Sequence, residues 1–122
     1  MSFNWGPHYI VPTESLKTYS GNVQLRETLD GQLLEKDLEA LGLPPRVTRI
    51  VNPWYFRKKD SSTWIKVGES DDESQKFSVR WDTTNLDNGQ YEVMGLMHVI
   101  VQHGDAEVTV ARQNVVEVTV EN

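Results

Sequence analysis

The stretch Tyr91-Glu92-Val93-Met94-Gly95-Leu96-Met97-His98-Val99-Ile100-Val101, the turn His103-Gly104-Asp105 and the run from Val108 to Val120 decide the fold of this chain. Before the turn, Tyr91, Val93, Met97, Val99 and Val101 share one parity; after it, Val108, Val110, Val116, Val118 and Val120 share another. A repeat of two places side chains alternately on the two faces of a strand, so both runs read as β. Gly104 can supply the positive φ of a tight turn, and the two runs become one long hairpin. Met94, Leu96 and Ile100 occupy the second parity of the first run, which makes that strand apolar on both faces. A strand with one wet face would be polar there. Its outer face therefore needs a cover, either another part of the chain or another subunit.

Outward from the hairpin the same period continues. Phe77, Val79 and Trp81 alternate with Ser78 and Arg80, and the turn-rich Asp82 to Gly89 follows. Arg46 to Lys59 is strand-like, with Ile50, Trp54 and Phe56 on one parity and Val47, Val51 and Tyr55 on the other. Pro53 inside that run implies a bulge or an edge position. Lys59 to Ser62 reads as a turn, Thr63 to Val67 as the return strand, and the acidic Gly68 to Lys76 as a loop. Upstream, Val23, Leu25 and Leu29 alternate with polar residues in a half-buried strand closed by Asp30-Gly31. Leu34, Leu38 and Leu41 then fall at i, i+4 and i+7, one apolar stripe on a short helix that Gly42 and Pro44-Pro45 terminate. So short a helix is marginal alone, and its stripe must dock. The economical expectation is that it covers the Met94, Leu96 and Ile100 face.

Six or seven strands with turn signals between them predict an all-β antiparallel sandwich with one helix decoration at about 33–42, in a single domain spanning 1–122 with residues 1–12 as an N-terminal arm. Residues 47–120 resemble the immunoglobulin-like and fibronectin-III-like modules of bacterial and phage proteins. The resemblance is carried by Trp54 to Lys59, Thr63 to Gly68, Phe77 to Thr84, and Asp87-Asn88-Gly89-Gln90-Tyr91. It implies a tyrosine corner at Tyr91, whose ring would enter the core while its hydroxyl bonds upstream backbone. Such a fold says little about function.

Composition removes several functions. The chain has 122 residues, enough to bury about two-thirds of its unfolded surface. It has no Cys, which rules out disulfides, thiolate zinc sites and a cysteine nucleophile while leaving the compartment open. A formal net charge of −6 argues against nucleic acid, although Arg57-Lys58-Lys59 beside Trp54-Tyr55-Phe56 imitates a basic aromatic strip. Met1 to His8 lacks the basic and apolar regions of a signal peptide, and no run of residues is apolar enough to span a membrane. The expectation is a cytoplasmic protein if the chain is full-length.

The candidates for chemistry are few. His98 and His103 lie five apart on a strand and its turn, so they point to opposite faces and make a poor metal pair. Glu69, Asp71, Asp72 and Glu73 lack the spacing and glycine turn of a calcium loop. Asp82 reads as a turn residue bonding nearby backbone rather than as an acid or base. No nucleophile with a base and no phosphate loop is legible. These readings predict a non-enzymatic module without metal or cofactor, binding a protein partner or itself through edge strands or through Met94, Leu96 and Ile100, with Trp5 as a further partner contact. The alternative is a carbohydrate-binding module presenting Trp54 or Trp64 as a flat platform to a sugar ring.

Overall fold

The computed structural model describes residues 2–3, 18–27, 29 and 31–122. Its elements are β1 (Ser2–Phe3), β2 (Thr18–Tyr19), β3 (Asn22–Leu25), α1 (Gly31–Ala40), β4 (Val47–Lys58), β5 (Ile65–Ser70), β6 (Val79–Asp82), β7 (Gly89–His103) and β8 (Ala106–Val120). The chain is mostly β with one short helix. The arm at 1–12, including Trp5, lies largely outside the described residues, which give only the backbone of β1 there.

The hairpin read from the sequence is the spine of the molecule. β7 and β8 pair antiparallel without a slip, from Gly89 opposite Val120 to His103 opposite Ala106. β4 pairs antiparallel with the far side of β7, and β5 with β4. On the other edge β1 and β2 both run parallel to β8, giving the order β1-β8-β7-β4-β5 with β2 also on β8. The sheet is therefore mixed and curls like half a barrel, where a wholly antiparallel sandwich was expected. Among the described residues a second sheet is formed by the ribbon β3–β6 alone.

Pro53 sits opposite Glu69 on β5, and the β4–β5 register shifts next to it, between Trp54 and Tyr55. β5 extends to Ser70, further than the sequence reading placed the loop. Phe77 is another departure. It precedes β6 in a left-handed conformation, as does Lys76, with φ of 52° and 56°. This costly backbone buries the Phe77 ring and turns its carbonyl toward Trp54 Nε1, which donates to it at 2.8 Å.

The helix docks on the face opposite to the one expected. Leu34 and Leu38 pack with Phe77, Met97, Val99, Val101 and Val110, the odd parity of β7 and the even parity of β8. Leu41 falls beyond the helix and is exposed, and Gly42, at φ 72°, forms its left-handed stop. A second apolar cluster fills the other end of the same inner face, built from Val23, Leu25, Trp54, Trp81, Tyr91, Val93, Val118 and Val120 with Tyr19. The Tyr91 ring lies in this cluster and its hydroxyl donates to Asp87 O at 2.8 Å, the upstream bond expected of it.

Candidate functional site

Between the two apolar clusters the inner face of the sheet is polar. The pairing places Met97 opposite Arg112 and Gly95 opposite Asn114, with Trp54 on the other side of Gly95. Asn52 comes in from β4, and Glu27 descends from the segment after β3, held there by its backbone N–H donating to Lys76 O at 2.9 Å. Glu27, Asn52, Arg112 and Asn114 are all buried. Each interrupts an apolar parity: Glu27 follows Val23 and Leu25, Asn52 lies between Ile50 and Trp54, and Arg112 and Asn114 lie between Val110 and Val116. The sequence reading passed over all four. The signal it missed was a polar residue at a core position on β4, on β8 and in the segment that continues the β3 parity.

Glu27 is the centre of this row. Its Oε1 accepts from Asn114 Nδ2 at 2.9 Å. Its Oε2 is buried with no hydrogen-bond partner among the described residues, and the same holds for Asn52 Oδ1. Asn52 Nδ2 donates to the Pro53 carbonyl at 3.4 Å. Burial pushes the Glu27 carboxyl up to about 7, against the opposing pull of the Asn114 and Asn52 amides and the Arg112 charge. Arg112 forms an ion pair with Asp37 on α1, Nη2 to Oδ2 at 3.1 Å, which ties the helix to β8. The four side chains are buried and α1 is tied to the row through the Arg112–Asp37 pair, so the Glu27 carboxyl can hold or release a proton inside the fold.

The surface carries two further features. A groove of about 270 Å³ lies between α1 and β4, lined by Leu29, Leu34, Leu38, Pro45, Val47 and Ile50, with the exposed Glu35 and Glu73 at its rim. On the outer face Met94 is buried, Leu96 and Ile100 are half-buried, and Val115, paired with Met94, is 43 % exposed. The ion pairs Arg57–Glu92 and Lys59–Glu117 stand at one end of that face.

The predicted carbohydrate platforms are differently placed. Trp54 is completely buried, with no face left for a sugar. Trp64 is half-buried and the Arg57 guanidinium stacks 4.3 Å from its ring centroid, occupying one face. His98 lies on the outer face and His103 at the hairpin tip. No group of three or more His, Asp or Glu side chains suited to a metal ion occurs among the described residues. Asp82 Oδ1 accepts from the Thr84 N–H at 2.9 Å, as a turn residue should, and Asp72 Oδ1 likewise accepts from the Ser74 N–H at 3.0 Å. No family model, curated protein or solved structure matches this chain.

Proposed function

We propose that this chain is a non-enzymatic interaction module that binds a protein partner or a second copy of itself. One observation carries the reading. The helix lays its leucines on the inner face, and among the described residues no helix stands above the outer stripe of Leu96, Ile100 and Val115. Half-exposed aliphatic groups in a row lose hydration cost when another surface covers them. Within this reading the architecture is an immunoglobulin-like sandwich whose second sheet is reduced to the β3–β6 ribbon, a view supported by the Tyr91 hydroxyl bond.

The test is solution mass by light scattering across a hundredfold range of concentration, for the parent and for Leu96→Lys. A dimer or larger species that Leu96→Lys converts to folded monomer supports the reading. A parent that stays monomeric throughout and retains no partner at this face would sink it. The carbohydrate alternative rests on Trp64 alone among the described candidates, and tryptophan emission that stays flat across a polysaccharide panel would remove it.

A further inference from the structure

β5 ends at Ser70, opposite Asn52, while β4 continues back to Val47. Along residues 47–51 the side of β4 away from β7 has no strand or turn bonded to it among the described residues. Val47, Thr48 and Arg49 are exposed there. The β4–β7 register shifts between Val47 and Arg49, and from Arg49 to Val51 it is continuous, so that part of the edge directs alternate N–H and C=O groups away from β7 as donors and acceptors. The apolar groove lies directly beside it. Val47 and Ile50 pair with the inward-facing Val101 and Val99, and both line the groove with Leu34 and Leu38.

We infer that this edge binds an extended peptide segment of another protein by strand addition, with two aliphatic side chains of the peptide entering the groove and flanking lysines or arginines meeting Glu35 and Glu73. Main-chain bonds would supply affinity, and the groove would select alternate side chains. At about 270 Å³ the groove is smaller than the roughly 300–1,000 Å³ of sites that enclose drug-sized molecules, and it suits side chains better. The acidic rim and the net charge of −6 select a basic segment. Arg49 is on the opposite face, near Glu69, whose carboxyl is held below its ordinary range chiefly by its Lys66 partner and to a smaller extent by Arg49. A second copy fits poorly. Antiparallel self-pairing centred on this stretch would set Arg49 against Arg49, and like charges directly opposite are destabilising.

The inference shares the interaction-module reading but uses a different surface, so the two fail separately. The probe is a fluorescein-labelled peptide, Lys-Thr-Val-Thr-Val-Thr-Lys, titrated by fluorescence anisotropy. Its two valines and two lysines share one face of a strand. Saturable binding is expected, weakened about tenfold or more by the exposed-site double variant Glu35→Lys/Glu73→Lys and by raised salt. N-methylation of one alternate set of peptide amides should abolish binding, and of the other set should leave it intact. Leu96→Lys should bind the peptide like the parent even if it loses self-association. The idea is overturned by no saturable binding at millimolar peptide with the fold intact by circular dichroism. It is equally overturned by binding that both N-methylated peptides retain, or by a homodimer that the peptide displaces.

Discussion

Gly95 and Glu27 compete for one volume. A Cβ on Gly95 would lie 2.8 Å from Glu27 Oε2, closer than real Cβ contacts come, and 3.2 Å from the Trp54 ring, tighter than most of them. The glycine in the middle of β7 thus weakens its own strand and admits the carboxyl to the interior. Gly95→Ala should cost about 1–3 kcal/mol, the usual penalty for overpacking a dense core. Urea denaturation measures it. Pairing it with Glu27→Ala, which opens the space, should give a loss smaller than the sum of the single losses.

Glu27 gives stability a pH signature. Its carboxyl is held at about 7 in the fold against an ordinary value of 4.5. Below the lower value both folded and unfolded chains hold the proton, and the fold has its full advantage. Between the two values the unfolded chain has released the proton while the fold keeps it, so stability falls as pH rises, by about 3 kcal/mol once the higher value is passed. Glu27→Gln keeps the shape, can still accept from Asn114 and has no proton to lose at any pH of the range. Denaturant midpoints at about pH 5 and about pH 8 should show the variant matching the parent at the lower pH and exceeding it at the higher. Equal pH slopes would show that Glu27 is ionised throughout.

Asp37 neutralises a guanidinium that has almost no contact with water, the side chains being 19 % and 2 % exposed. Removing one partner of such a pair leaves the other charged and poorly solvated. Asp37→Ala should lower stability by about 3 kcal/mol, the low end of the range for buried pairs, because Arg112 keeps further contacts. Asp37→Leu combined with Arg112→Met should lose less than Asp37→Ala alone in thermal unfolding.

The Tyr91 hydroxyl fastens the turn before β7 through Asp87 O. Tyr91→Phe keeps the ring against Trp81 and Phe56 and removes only that bond. A loss of about 1 kcal/mol is expected by chemical denaturation, with the fold unchanged. A neutral substitution would show that solvent replaces the bond without cost.

Much of the architecture was legible because its signals are local. Alternation in 91–101 and 108–120 marked the long hairpin, Ile50, Trp54 and Phe56 marked the inner parity of β4, and Leu34 with Leu38 marked the helix stripe. Asp82 and Gly42 announced their turn and cap through chemistry that needs only near neighbours, while the hydroxyl bond of Tyr91 was expected only from the resemblance to immunoglobulin-like modules. Phe77 misled because its burial fits a strand while its backbone is left-handed, a conformation with no signature in a phenylalanine. The polar row was legible only in retrospect, as Glu27, Asn52, Arg112 and Asn114 standing where their strands' apolar residues should be.

The sequence by itself determined the long hairpin of β7 and β8 and where it turns, the strand character of β4 and its inner parity, and the helix stripe, since these follow from short periods and short-range sterics. Tertiary structure alone decided the rest. A period of two is satisfied by every even register, so only long-range pairing could set Gly95 beside Asn114 and bring Glu27 over them. A leucine stripe likewise carries no record of which apolar face of β7 it will cover. Docking on the inner face buried Leu34 and Leu38 beside Val99 and Val101, paired Asp37 with Arg112, and left Leu96 and Ile100 outside.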